Sequence, residues 1–302
     1  MGDLRRDVKV LCARSPSCGL TFIAALGNAP FPVGADALDH RGKPFWHGVD
    51  AASGQRIRVL DAARRYTEAA VYGDARVLFH APKQFDPAKP FRIVVFLHGH
   101  GSEIERTVMR DLDLTGQLDR AGANAVLVAP QLALDAQESA AGKFVDPGRA
   151  AAFVDEAQIV LRGMVGGEDS AWRRAPVVIV AYSGGYRTAA QIVDRGGLDG
   201  RIEGLVMLDA FYGDAGLYAA WLARHRHRAF LYALFTKSSA EETDLLKTHL
   251  IERNVAYRTG DDGGALIGIR FVETDTPHGE IARRGPPPDP VGALLRRLPL
   301  LE

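Results

Sequence analysis

Short, near-continuous apolar runs alternate along this chain with stretches whose apolar residues recur at helical spacing. The apolar runs occupy residues 92–97, 125–130, 176–182, 204–210, 230–236 and 265–273. Such runs are typical of strands that are covered on both faces. The helical stretches occupy residues 103–122, 150–165, 185–197, 217–225 and 291–298. Strand–helix alternation of this kind predicts an α/β fold, a doubly wound and mostly parallel sheet flanked by helices.

Three local patterns refine this prediction. Residues 56–60 and 75–81 precede the first apolar run and are expected to form an opening antiparallel strand pair. Ser239, with Glu242 three residues later, predicts a capping box at the start of another helix. The connection 131–149 is long, polar and rich in small residues, and it is either a functional loop or a surface insert.

The first fifty residues do not follow the alternation. Basic residues precede an apolar stretch that ends in small residues near Ala35 and Ala37, as in a secretory signal. Those basic residues are Arg5, Arg6, Lys9 and Arg14. Gly27, Pro30 and other breakers interrupt the stretch. We therefore expect residues 1–50 to form an N-terminal arm, with a possible signal in 1–37, and residues 51–302 to form a single domain. The expected location is the cytoplasm, with export to the periplasm or medium as the alternative.

Composition limits the partners. The chain of 302 residues carries 37 basic and 37 acidic side chains, a balance that argues against nucleic acid or an anionic membrane. No stretch approaches the roughly 18 to 20 apolar residues that span a bilayer. The only cysteines are Cys12 and Cys18, and no HExxH string occurs. We therefore expect a small-molecule substrate and no metal or cofactor, and the oligomeric state stays open.

The strongest chemical signal is Ala181-Tyr182-Ser183-Gly184-Gly185. It follows a predicted strand and precedes a predicted helix. A tight turn at such a junction exposes the serine hydroxyl above the sheet, and small residues on either side let strand and helix pack closely. The backbone N–H of Gly184 would then point toward a developing oxyanion. The pattern predicts a serine nucleophile, and a glycine-rich turn without catalytic function is the alternative.

On this motif and its setting, the chain resembles the serine hydrolases of the α/β-hydrolase fold over roughly residues 55–300. The string LHGHGS at 97–102 resembles the loop that supplies the second oxyanion donor in that family, which implies the backbone N–H of His100. The side chains of His98 and His100 are expected to be structural. His278, which follows the last predicted strand, completes the chain order Ser…Asp…His and would act as the general base.

The acid is Asp209 in our interpretation, because it stands immediately at the end of a predicted strand. Its alternative role is to cap the next helix. In many relatives the acid follows the next strand, where Glu241, Glu242 and Asp244 are available, although these fit the first turn of a helix better.

The resulting hypothesis is a hydrolase that cleaves a carboxylic ester through an acyl-enzyme. A peptidase or amidase with the same triad and a non-catalytic binding protein on the same fold are the alternatives. A dinucleotide site is disfavoured because Ile104 takes the place of the third glycine after Gly99 and Gly101. The predicted acyl pocket comprises the loop 131–149 and the aromatic residues Tyr182, Tyr186, Phe211 and Tyr212.

Overall fold

The structure is a computed structural model, and it describes residues 8–15 and 18–301. Arg5 and Arg6 of the predicted signal lie outside the described residues. The strands of the described part are β1 (Lys9–Cys12), β2 (Leu20–Ala25), β3 (Gly48–Val49), β4 (Arg56–Val59), β5 (Arg65–Thr67), β6 (Arg76–Ala81), β7 (Arg92–Leu97), β8 (Ala125–Pro130), β9 (Val177–Tyr182), β10 (Ile202–Leu208), β11 (Phe230–Phe235), β12 (Arg258–Thr259) and β13 (Ile269–Glu273). The α-helices there are α1 (Leu114–Ala121), α2 (Arg149–Val165), α3 (Asp169–Arg174), α4 (Tyr186–Arg195), α5 (Ala215–His225), α6 (Ala240–Glu252), α7 (Ile281–Arg284) and α8 (Pro290–Leu295). Short 3₁₀ or π-helical segments are Glu68–Tyr72, Ile104–Asp111, Gly142–Val145, Ser183–Gly185, Lys237–Ser239 and His278–Glu280.

Among the described residues, ten strands form one sheet in the order β1-β2-β6-β8-β7-β9-β10-β11-β13-β12. From β8 to β12 all neighbours are parallel, whereas β1, β2, β6 and β8 pair antiparallel in succession. The mostly parallel sheet predicted from the apolar runs is therefore confirmed, as are an antiparallel start and flanking helices.

The central strand β9 explains why its sequence is apolar throughout. All six of its residues are buried. Ile179 belongs to the core on one face of the sheet, and its neighbour Val180 belongs to the core on the other face. Because successive side chains of a strand point to opposite faces, a strand with a core on each side needs apolar residues at every position.

The predicted pairing of residues 56–60 with 75–81 is wrong. Strand β4 pairs with β3 and β5 in a separate three-stranded sheet. Strand β6 pairs instead with β2 along its whole length, from Leu20–Ala81 to Ala25–Arg76. We expected residues 1–50 to form an arm outside the domain, but β2 lies inside the large sheet, where the buried ring of Phe22 stacks on Phe79 with centroids 4.8 Å apart. A buried apolar strand and the core of a signal segment have similar compositions, which explains the error.

Residues 26–72, which we call the side lobe, pack beside the main domain and contain the small sheet. The side lobe has its own aromatic core of Phe31, Phe45, Trp46 and Tyr72. Ala133, Ala136 and Ala140 of the connection 131–149 belong to the same core. This part of the connection is therefore packed against the side lobe and is not a loose surface insert.

One predicted helix is divided in the structure. The stretch 103–122 is not one helix, because Asp113 has a φ of 51° and separates the π-helical segment Ile104–Asp111 from α1. Cys12 and Cys18 form a disulfide at the β1 end of the sheet. Within the ranges that the structure describes, no helix has the length and apolar character needed to cross a membrane.

Candidate active site

Ser183 lies at the sharp turn between β9 and α4, at the carboxyl edge of the sheet. Its φ is 51°, a left-handed conformation that is uncommon for a residue with a side chain. The turn tolerates no bulk nearby: a Cβ on Gly185 would lie 2.3 Å from the carbonyl oxygen of Leu97, and one on Gly99 would lie 2.7 Å from Ser183 Cβ. The glycines are therefore required for the close approach of β7, β9 and α4.

His278 follows β13 and comes directly against Ser183. Its Nε2 lies 2.9 Å from Ser183 Oγ. Tyr182 supports the imidazole in two ways, since its ring stacks on His278 with centroids 5.4 Å apart and its hydroxyl donates to the His278 carbonyl at 3.0 Å. The imidazole is thus held at its face and through its own backbone.

Asp209, which follows β10, lies on the far side of the imidazole. Its Oδ2 is 2.6 Å from His278 Nδ1, and the side chain is buried. A carboxylate can only accept here, so Nδ1 carries the hydrogen and Nε2 is free to accept one from Ser183. Asp209 also has a positive φ of 46°. Ser183, His278 and Asp209 thus form one chain of hydrogen bonds.

Hydroxyl and amide groups surround the Asp209 carboxylate. Its further donors are the backbone N–H of Thr236 at 2.9 Å and the hydroxyls of Thr236 at 2.9 Å, Ser238 at 3.1 Å, Tyr212 at 3.3 Å and Ser239. Burial alone would raise the pKa of Asp209, but hydrogen bonds from His278, Ser239 and Thr236 outweigh it and hold the pKa well below its ordinary value. The carboxylate therefore stays ionised beside the imidazole at neutral pH.

The other acidic candidates do not approach His278. Glu242 accepts from the backbone N–H of Ala215 at 3.0 Å, and Asp244 pairs with Lys247 at 2.9 Å. Glu241 is exposed in the first turn of α6. The predicted capping box is wrong, because the Ser239 side chain donates to Asp209 and makes no capping hydrogen bond to α6.

The two residues predicted to supply oxyanion donors are adjacent. The His100 imidazole covers Gly184 so closely that a Cβ on Gly184 would lie 2.3 Å from His100 Cδ2. His100 Nε2 is 2.6 Å from the hydroxyl of Ser139. Burial lowers the pKa of His100, which favours a neutral ring at neutral pH.

His98 has a structural environment, as expected. Its Nε2 accepts from the backbone N–H of Leu132 and from the side-chain amide of Gln131, each at 2.9 Å. Nδ1 lies 2.8 Å from the carbonyl oxygen of Gly99. Burial lowers the pKa of His98 to about 4, so the ring is neutral and links the loop after β7 to residues 131–132.

The aromatic residues predicted to line the pocket lie in different surroundings. Phe211 is only 1% exposed and packs edge-on against Tyr218, so it belongs to the core and offers a substrate no surface. Tyr212 is 38% exposed and contacts both Asp209 and His278. Tyr182 is stacked on His278, and the mostly buried Tyr186 packs 6.1 Å from Tyr212, measured between ring centroids.

Several residues at the site were not identified from the sequence. They are Ser139, Thr236, Ser238 and Ser239, together with Arg187, whose guanidinium contacts His40 and donates to the Tyr186 hydroxyl at 2.6 Å. The sequence did give an indication for Thr236–Ser239, since three of the four residues that directly follow the apolar strand β11 carry hydroxyl groups.

Comparison with solved structures shows that the chain has the α/β-hydrolase fold. It is similar to the feruloyl esterase module of Clostridium thermocellum, with 13% identity over 88% of this chain and 95% of that one and a TM-score of 0.51. It is also similar to an S-formylglutathione hydrolase of Agrobacterium tumefaciens, with 10% identity over 96% and 100% of the two chains and a TM-score of 0.50. No protein-family model matches the chain, and a search of curated proteins found no match. At such low identities the likeness extends to the fold alone.

Proposed function

We propose that this protein is a serine hydrolase that cleaves a carboxylic ester through an acyl-enzyme intermediate. The observation that carries the proposal is the continuous chain of hydrogen bonds from Ser183 through His278 to Asp209. These hydrogen-bonded residues lie at the carboxyl edge of a parallel sheet, where ligands of open α/β sheets bind.

In the first half-reaction, Ser183 Oγ attacks the ester carbonyl carbon while its proton passes to His278 Nε2. The ionised Asp209 accepts from Nδ1–H and stabilises the imidazolium that forms. His278 then donates its proton to the departing alcohol oxygen, and the acyl group stays on Ser183. A water molecule, deprotonated by His278, then attacks the acyl carbon. The bond from this carbon to Ser183 Oγ breaks, His278 returns the proton to Ser183 Oγ, and the acid is released.

The negative charge on the tetrahedral intermediate would be bound by the backbone N–H groups of Gly184 and His100. Gly184 begins the turn into α4, so the partial positive charge at the start of this helix adds to the effect. Neutral His98 and His100 are compatible with oxyanion binding by these backbone groups, because their side chains hold the loop after β7 without adding a titrating charge.

Esters are favoured over amides for two reasons. An alcohol leaves more readily than an amine, so ester cleavage demands less of the general acid. One of the two similar structures is named an esterase and the other an S-formylglutathione hydrolase. Cleavage of aminoacyl amides in preference to esters would instead support the peptidase or amidase alternative.

The proposal can be tested by labelling the protein with a fluorophosphonate and mapping the labelled peptide. We expect one adduct at Ser183 and none in the Ser183→Ala variant, whose fold is checked by circular dichroism. A panel of short-chain p-nitrophenyl esters and aminoacyl amides then tests the bond type. A folded protein that takes up no label and cleaves no ester would support a non-catalytic binding protein instead.

A further inference from the structure

The loop after β7, residues 98–102, carries one of the two proposed oxyanion donors, and most of its hydrogen bonds to other segments go to residues 131–139. We call this loop the oxyanion loop and residues 131–139 the clamp segment. The contacts between them are Leu132 N–H to His98 Nε2 at 2.9 Å, Asp135 N–H to the Ser102 carbonyl at 3.1 Å, Gly101 N–H to the Ala136 carbonyl at 2.9 Å, and His100 Nε2 to Ser139 Oγ at 2.6 Å. The clamp segment therefore fixes the oxyanion loop through both backbone and side-chain hydrogen bonds.

The clamp segment is fixed in turn by a buried ion pair with the side lobe. Arg58 Nε lies 2.8 Å from Glu138 Oε2, and both side chains are only 7% exposed. The pair is well satisfied, because Arg58 also donates to the Phe45 carbonyl at 2.9 Å and Glu138 accepts from the Tyr72 hydroxyl at 3.1 Å. The Arg58 guanidinium lies over the Phe45 ring, 4.2 Å from its centroid.

The contact with the oxyanion loop and the contact with the side lobe are made by consecutive residues. Glu138 faces the side lobe, and the next residue, Ser139, faces His100. Because Glu138 and Ser139 are consecutive residues, the ion pair at Glu138 restricts the place from which the Ser139 hydroxyl reaches the imidazole. The imidazole in turn covers Gly184, the other proposed oxyanion donor.

We propose that Arg58, Glu138 and Ser139 are positioning residues for oxyanion stabilisation, with the side lobe acting through the clamp segment on His100 and Gly184. This inference rests on the proposed function. It assigns a role in the reaction to a lobe that contributes no residue to the Ser183–His278–Asp209 chain.

A purely structural role would leave the chemistry untouched in any variant that folds. A positioning role predicts a loss confined to the transition state, since donors that are slightly misplaced bind a tetrahedral anion less well while ground-state binding changes little. The kcat and KM of an ester, and the affinity of an arylboronic acid, separate these roles. The boronic acid forms a bond from Ser183 Oγ to boron as the serine proton moves to His278, and the resulting tetrahedral boronate is an anion.

The first variant is Ser139→Ala, which removes the hydroxyl next to His100 from a partly exposed position. We expect kcat to fall about 10-fold, less than the roughly 10²–10³-fold cost of deleting an oxyanion donor outright. Boronate affinity should fall by about the same factor, with KM changed less than about twofold. Ser139→Thr keeps the hydroxyl and should restore most of both losses.

The second pair of variants tests the side lobe. Glu138→Gln leaves the Arg58 charge without its partner, so we compare it with the double variant Arg58→Met, Glu138→Leu, which removes both charges. Both should lower kcat and boronate affinity in parallel, whatever their melting temperatures. The matched control is Glu203→Gln, which breaks the Arg92–Glu203 ion pair at the opposite edge of the sheet and should leave both quantities unchanged.

Each outcome bears on a different claim. If wild-type protein takes up no label at Ser183 and binds no boronate, the proposed function fails. If wild type is active and folded Ser139→Ala and double variants match it in kcat and boronate affinity, only the positioning role is overturned. The role is also overturned if Glu203→Gln causes the same losses, because the effect would then follow from general destabilisation.

Discussion

The two sides of Ser183 are built differently. On the acid side, Asp209 directly follows β10, His278 lies in the loop after β13, and Thr236–Ser239, at the end of the intervening β11, surround the carboxylate. On the oxyanion side, the loop 98–102 depends on the clamp segment, which depends on the side lobe. The acid side is therefore built at the ends of neighbouring strands, whereas the oxyanion side depends on a segment and a lobe outside the large sheet.

The largest expected effect tests the acid side. Asp209→Asn keeps the size of the side chain but removes the charge that orients Nδ1–H of His278. We expect kcat to fall by about 10⁴-fold, because the imidazole would adopt the wrong tautomer. Steady-state ester kinetics on protein of verified fold measure this. A nearly normal rate would show that Asp209 is not needed to orient His278.

The next effect tests the oxyanion side. Gly184→Ala would place a Cβ 2.3 Å from His100 Cδ2 and 2.6 Å from its Nε2, so the imidazole would have to shift from the position in which Nε2 contacts Ser139. We expect a loss of about 10²-fold in kcat with little change in KM. Gly200→Ala, at a position with nothing within 4 Å of its Cβ, is the control and should be fully active. Unchanged kcat in Gly184→Ala would show that the position of the imidazole is unimportant.

A smaller effect distinguishes the hydroxyl groups around Asp209. Ser239→Ala removes one buried donor while five other donors remain, so we expect kcat to fall about 10-fold and stability by about 1 kcal/mol. Thr243→Ala is the control, since its buried hydroxyl donates to the Ser239 carbonyl and does not touch the carboxylate. It should lose stability and retain most of its activity. Equal activity losses in the two variants would argue against a specific role of Ser239.

The smallest effect concerns acid stability. The folded-state pKa of Asp209 is held below its unfolded value, so its contribution to stability is present above about pH 4 and is lost as the pH falls below it. Between about pH 5 and pH 3 the wild type should therefore lose more unfolding free energy than Asp209→Asn, with a difference of up to about 1.4 kcal/mol per pH unit at the low end. Urea unfolding at several pH values measures the difference. Parallel curves would contradict the depressed pKa.

Separation along the chain explains which features could be predicted from the sequence and which could not. The fold and the turn at Ser183 could be predicted because strand, turn and helix are adjacent in the chain, and the apolar strand β9 indicates its own burial. Ser239 was assigned to a helix cap because a cap is a local interaction, whereas its contact with Asp209 spans thirty residues. Glu138 and Arg58 are eighty residues apart, and nothing in the sequence indicated their contact.

Burial accounts for the remaining differences between the sequence-based predictions and the structure. Phe211 and Tyr212 are neighbours of the same aromatic type, yet one lies in the core and the other faces His278. No periodic pattern separates them, since both lie in the short connection between β10 and α5. Residues 20–25 fit a signal segment as well as a strand, and only pairing with β6 distinguishes these interpretations.

The position of β2 has a consequence for any processing of the chain. Cleavage near Ala37 would remove β1 and β2 together and leave β6 as the edge of the sheet. Backbone N–H and C=O groups along Arg76–Ala81 would then be open to pairing with a strand of another molecule, which is a known route to aggregation. The shortened protein would need a new cover for this edge to remain monodisperse.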